Sequence, residues 1–230
     1  MLLALHVHTN FSKCAESTVE EIKSFCEKNN IGSIAICDHN EVKGAMELAN
    51  LAKDLKVIIG EEIKTKQGEI IGLFLKEKIQ PNLSLSETIE LIKKQNALVY
   101  LPHPFDVIRP FNMRWDTLLS NMKDIDIVET FNSKMILHFN NVQAGLLAKQ
   151  FKKIEAIGSD AHFVKAIKCA LMEIEDFDGP LDFLEKLSRA KVISKIDTGV
   201  STTLWSRTKK FFRVRFRFVK FLFYRLTNKK

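Results

Sequence analysis

Six short apolar runs, separated by amphipathic stretches, narrow what this chain can fold into. The runs are Leu2–Leu5, Ser33–Cys37, Val57–Ile59, Ala97–Leu101, Ile125–Val128 and Glu155–Ile157. Helix-start signals stand between them: Thr18-x-x-Glu21 ahead of Ile22 and Phe25, and Ser84-x-x-Glu87 ahead of Ile89, Leu91 and Ile92. Within Glu41–Leu55 the apolar positions 45, 48, 49, 52 and 55 keep helical spacing, and Trp115–Met122, His138–Phe151 and Pro180–Ala190 complete the set. Strands that alternate with helices predict a parallel sheet, because parallel neighbours need a crossover connection. Lys64–Leu75 reads differently, as a hairpin turning at Gln67-Gly68. The expected class is α/β.

Five of the six histidines follow these runs. His6 and His8 come after the first, His39 after the second, His103 after the fourth and His162 after the last. Asp38, Glu62, Glu129 and Asp160 are placed in the same way. In a closed parallel barrel the C-terminal strand ends share one face, where active sites collect. Residues far apart in sequence then converge on one mouth. In His6-x-His8, alternate residues of an extended segment address one ion from one side. Imidazole with carboxylate suits Zn²⁺, Mn²⁺ or Fe²⁺ better than the all-oxygen cages of Ca²⁺.

The ordered motifs His6-Val7-His8-Thr9, Cys37-Asp38-His39-Asn40, Gly60-Glu61-Glu62-Ile63, Pro102-His103-Pro104 and Gly158-Ser159-Asp160-Ala161-His162 resemble the PHP (polymerase and histidinol phosphatase) family of metal-dependent phosphoesterases. The resemblance covers roughly residues 2–175. It implies a distorted TIM-like (β/α)7 barrel with divalent ions (Zn, Mn, Fe or Mg, one to three per chain) at the strand C-termini. It also implies His6, His8, Glu62 and Asp160 as ligands of a first metal, Glu62 with His103 at a second, and His39 with His162 at a third. Asp38 is expected to orient its neighbourhood.

The chain departs from the family pattern twice. Ser12-Lys13 stands where the family has Ser-Asp, and the strand holding Ile70 and Ile71 carries no histidine. Cys14 and Glu69 are candidate replacements at the short sites. The Lys13 ammonium is a candidate to serve the third site in place of an ion.

The resemblance implies hydrolysis of a phosphate ester by a metal-activated water, with Lys13 and Asp38 as catalytic candidates. Arg109 is a candidate phosphate clamp. Glu129, with Asn132, is a candidate substrate contact or a brace of the mouth. The substrate is expected to be a phosphorylated small molecule, a nucleotide or an oligonucleotide. The free-standing domain argues against a direct polymerase role. The sequence carries no P-loop or GxSxG elbow and no convincing signature of a Cys–His nucleophile pair. A degenerate barrel that binds metal or ligand without turnover is the alternative.

Composition fits a reducing, aqueous setting. A chain of 230 residues, 46% hydrophobic and 27% charged, buries a core without staples. The four cysteines form no CxxC pair, the N-terminus lacks a basic leader, and no uncharged apolar run reaches about 18 residues. A cytoplasmic protein is expected, peripheral at the inner face of the membrane. The net charge of +7 is unevenly spread, because residues 203–230 hold ten Lys/Arg and no acid. Two units are read on this basis, a barrel over 1–202 and a basic aromatic tail over 203–230. Lys209, Lys210, Arg213, Arg217 and Lys220 gather opposite Phe211, Phe212, Phe218, Leu222 and Phe223 on a helical wheel. That predicts a helix on an anionic membrane surface. Single-stranded nucleic acid and docking on the barrel or a second subunit remain open as alternatives.

Overall fold

The computed structural model describes residues 1–106 and 113–198. Among them nine strands form one sheet: β1 (Leu2–Val7), β2 (Ile31–His39), β3 (Lys56–Lys64), β4 (Glu69–Leu73), β5 (Leu98–Leu101), β6 (Ile127–Asn132), β7 (Ile154–Gly158), β8 (Ala170–Glu173) and β9 (Lys191–Lys195). The helices are α1 (Val19–Lys28), α2 (Lys43–Leu51), α3 (Leu85–Lys94), α4 (Trp115–Asn121), α5 (His138–Gln150) and α6 (Gly179–Leu187). The strand order is β7-β6-β5-β4-β3-β2-β1-β8-β9. The end of β7 returns to the end of β1, where Val7 bridges Ala161 and Ser159 N donates to Leu5 O at 3.1 Å. The sheet is thereby nearly closed into a distorted barrel.

Local chemistry accounts for the elements. Thr18 and Ser84 each accept from the backbone of the residue three on, and Glu21 and Glu87 reach back to the cap, closing two capping boxes. Strands β1, β2 and β3 pair in parallel, as do β5, β6 and β7. The β3–β4 hairpin interrupts the parallel pattern between the two sets. Its turn is tied by Thr65 N and Thr65 Oγ1, which both donate to Gly68 O, and Gly68 has a φ of +147° that favours glycine.

Two features differ from expectation. The helix expected over Glu41–Leu55 spans Lys43–Leu51. Glu41 instead accepts from the backbone of Val42 and Lys43 just ahead of it. Strands β8 and β9 pair antiparallel and extend the sheet beyond β1. β8 is a short buried run, Ala170-Leu171-Met172, and β9, of five residues, is largely exposed. Arg109 and the 203–230 segment, with its boundary at 202/203, lie outside the described residues. No helix among the described residues is long and apolar enough to cross a membrane.

Side chains from alternate strand positions divide the core. Leu3, Leu5, Ala35, Cys37, Ile71 and Phe131 pack in one cluster, while Ala4, Val7, Ile34 and Ile36 pack with Val19, Ile22 and Cys26 of α1 in another. Above the first cluster the strand ends come close together. A Cβ at Gly158 would run into Glu129 Oε1 and stand 3.0 Å from His6 Cβ. Gly158→Ala is therefore expected to destabilise the fold by about 1–3 kcal/mol, the usual cost of overpacking. Urea denaturation of the purified variant measures this, and an unchanged midpoint would contradict the close approach.

Candidate metal centre

Glu62, at the C-terminal part of β3, receives four imidazoles. Its Oε2 lies 3.3 Å from His6 Nε2, 3.4 Å from His8 Nε2 and 3.1 Å from His39 Nδ1. Its Oε1 lies 2.9 Å from His103 Nε2. Asp160 provides a second carboxylate, with Oδ1 at 3.4 Å from both His8 Nε2 and His162 Nδ1 and 4.0 Å from His6 Nε2. The expected metal ligands His6, His8, His39, Glu62, His103, Asp160 and His162 thus occupy one cluster. Its adjoining edge Glu61 points away and accepts from Ile79 N instead.

Backbone irregularities aim these side chains. The β1–β2 register shifts between Ala4 and Val7, and His6 has a φ of +59°. This bulge allows His6 to join His8 in the cluster while Val7 packs among the α1-facing residues. His103 (φ +27°) and Asp160 (φ +48°) also sit in the left-handed region. Non-glycine residues pay for that conformation, and such strain concentrates at functional sites.

Two carboxylates hold the ligands from behind. Glu129 is 1% exposed and accepts from His6 Nδ1 (2.9 Å), Tyr100 Oη (2.8 Å), His103 N (2.7 Å) and Asn132 Nδ2 (2.9 Å). Glu129 thus ties His6, Tyr100, His103 and Asn132 together through one carboxylate. Asp38 accepts from Thr9 N (2.8 Å), Thr9 Oγ1 (2.6 Å) and Ser12 Oγ (2.5 Å), and Ser12 Oγ accepts from His39 N (2.9 Å). That network ties the segment after β1 to the end of β2.

Electrostatics separate the imidazoles. Burial would lower the His6 pKa, but Glu129, Glu62 and Asp160 together raise it well above the ordinary value. A proton on Nδ1 is held toward Glu129, and a cation at Nε2 would replace the other. Burial would raise the Glu62 pKa, yet His6 and His39 hold it well below the carboxylate range. His8 behaves oppositely: burial pushes it well below the usual histidine value, against the pull of Asp160. Both His8 ring nitrogens are buried without a hydrogen-bond partner. An unsatisfied buried imidazole is costly, and a metal ion at its lone pair removes that cost.

Among the described residues, four triads offer ligand atoms within 4.8 Å of one another: His6–Glu62–His103, His6–His8–Asp160, His8–His39–His162 and His39–Glu62–Glu69. The nitrogen and carboxylate donors fit a divalent transition ion. Glu69, at the start of β4, comes within ligand range of the short sites. Cys14 is exposed; burial would raise its thiol pKa, but His162 and His39 bring it down to about 6.

Lys13 is exposed. The lysine that enters the cluster is Lys134, whose Nζ lies 3.3 Å from Asp160 Oδ1 and 3.1 Å from His162 Nδ1. Lys134 and Tyr100 were not singled out by sequence. Lys134 lies two residues beyond Asn132, past the strand end, and Tyr100 sits inside an apolar run. Reading a few residues past each run would have reached Lys134.

The comparisons with known proteins agree with this geometry. A family model for the PHP domain matches residues 4–157. An uncharacterised protein of Methanocaldococcus jannaschii is 39% identical over 197 residues, covering 81% of this chain and 79% of that protein. A two-domain Bacteroides vulgatus protein, described as containing a predicted PHP-like metal-dependent phosphoesterase, superposes with a TM-score of 0.67 at 16% identity. The match covers 85% of this chain, which spans only 65% of that longer one. PsfC from Pseudomonas syringae has the same fold, with a TM-score of 0.65 at 13% identity over 88% of this chain and 95% of that one. Over two thirds of its length in motif and most of its length in fold, the chain belongs to the PHP domain family.

Proposed function

We propose that the protein is a metal-dependent hydrolase of phosphate esters, acting on a phosphorylated small molecule, a nucleotide or a short oligonucleotide. The observation that carries this reading is His8, whose two buried ring nitrogens lack partners beside two carboxylates. His6, His8, Glu62 and Asp160 would hold one ion, with Glu62 and His103 serving a second. When bound, such ions supply Lewis acidity, which polarises a phosphoryl oxygen and acidifies an attacking water.

The chain's own groups arrange the rest. Glu129 keeps the His6 proton on Nδ1 and so leaves Nε2 facing the cluster. Tyr100 donates to the same carboxylate; burial, with Glu129 beside it, pushes its pKa well above the ordinary value, so the hydroxyl keeps its proton. His39 and His162 are the less buried members, with side chains 27% and 17% exposed, so substrate approaches from their side.

Purified protein loaded with Mn²⁺ is expected to cleave an aryl phosphate or a short oligonucleotide. His8→Ala is expected to lose bound metal and at least about tenfold in turnover. Tight metal binding with no turnover across a broad ester panel would reject the hydrolase in favour of a binding protein. Glu129→Gln tests the brace. It should weaken Mn²⁺ affinity by about 10–100-fold while saturating metal still fills the sites. Calorimetric titration reads this, and wild-type affinity would count against the brace. Chelation should lower the thermal midpoint and added Mn²⁺ restore it, since an ion that binds only the folded chain stabilises it.

A further inference from the structure

We infer that Lys134 takes the place of a third metal ion, its ammonium keeping that ion out and binding a phosphoryl oxygen of the substrate. The inference rests on the metal-dependent phosphoesterase reading above. His39 and His162 present ligand atoms within 4.8 Å of each other and of His8, a corner that could draw an ion beside the first. Lys134 Nζ stands at the edge of that set, 3.1 and 3.4 Å from the two ring nitrogens of His162 and 3.3 Å from Asp160 Oδ1.

The contacts around His162 show what the ammonium competes for. His162 Nδ1 lies 2.9 Å from the backbone oxygen of Asp160, which can only accept. Nδ1 therefore carries the proton, and the lone pair lies on Nε2. A metal ion would need that lone pair, and Lys134 Nζ, 3.1 Å from Nδ1 and 3.4 Å from Nε2, stands against the ring where its charge opposes such an ion. An ion and an ammonium sharing this corner would also repel each other at short range.

The position of Lys134 is built into the fold. Its backbone N donates to Asn132 Oδ1 at 3.0 Å. The preceding residue is clamped on two sides: Ser133 N donates to Gly158 O (3.0 Å), Ser133 Oγ donates to Ser159 O (2.5 Å), and Thr198 N donates to Ser133 O (2.6 Å). The segment after β6 is thus pinned to the end of β7, and the lysine starts from a fixed base. Its side chain is 27% exposed, so the ammonium keeps a solvent-facing side. Lysine has three N–H donors, enough to hold Asp160 Oδ1 and still offer one to an incoming anion.

Lys134→Met and Lys134→Arg in the full-length protein separate the possibilities. After Mn²⁺ loading and desalting, elemental analysis should find about one more ion per chain in Lys134→Met than in wild type. Lys134→Arg, which keeps the charge, should bind the wild-type amount. For inorganic phosphate, the dissociation constant of the metal-loaded Lys134→Met protein should rise by about tenfold, the loss expected of one charged hydrogen bond. Wild-type metal content together with wild-type phosphate affinity in Lys134→Met would overturn the inference. A wild-type protein without esterase turnover would undo the functional reading instead, and the metal count would still judge Lys134. Thermal unfolding of each variant, expected near wild type for this partly exposed residue, confirms that folded chains are compared.

Discussion

Burying the Glu62 carboxylate is the constraint around which the mouth of the barrel is arranged. A carboxylate withdrawn from water costs several kcal/mol unless it is paired and hydrogen-bonded. Four imidazoles meet that demand, and they come from the ends of β1 and β2 and from the segment after β5. The pairing works in both directions, since His6 is held charged by the acids around it while Glu62 is held charged by His6 and His39. His8 is the member left over. Burial holds its pKa well below the ordinary histidine value, and its Nε2, 3.4 Å from both Glu62 Oε2 and Asp160 Oδ1, stands where a cation fits.

Such an arrangement needs fixed ligands, and the fold spends backbone strain and buried hydrogen bonds to fix them. His6, His103 and Asp160 adopt positive φ values at three separate strand ends. Glu129 binds a ring nitrogen of His6 and the backbone of His103 at once, so one acid sets the positions of two ligands. Asp38 does the same for the segment carrying His8 and, through Ser12, for His39. The close approach of Gly158 to Glu129 and of Gly44 to Asp38 leaves these braces little room to move.

The ammonium of Lys134 completes the charge pattern at the less buried end. Among the described residues four overlapping groups of candidate ligands lie around Glu62 and Asp160, and His39 and His162 are less buried than His6, His8 and His103. A lysine at the open corner gives permanent positive charge where solvent reaches, with no dependence on metal supply. It also differs from an ion in offering directed N–H donors rather than open coordination positions.

The sequence by itself determined the elements and the cast of the site. Apolar runs and capping residues are local signals, so β1, β2, β3, β5, β6 and β7 and the two capped helices could be read along the chain. The His and acid residues at the ends of those runs, with the hairpin after Glu62, followed from the same local pattern. Tertiary structure alone decided how they are used. A one-residue bulge in β1 brings His6 into line with His8, and no composition rule marks where a register slips. Glu129 became a brace because Tyr100, His103 and Asn132, from three elements, all reach it. Lys134 rather than Lys13 entered the cluster because Ser133 is pinned to β7, a contact between segments about 25 residues apart. Strands β8 and β9 pair antiparallel beyond β1, and the direction of that pairing is set by the chain's return and not by their short sequences. Local periodicity sets which residues stand at strand ends, but which way they point depends on register and long-range pairing, and those are settled only when the sheet closes.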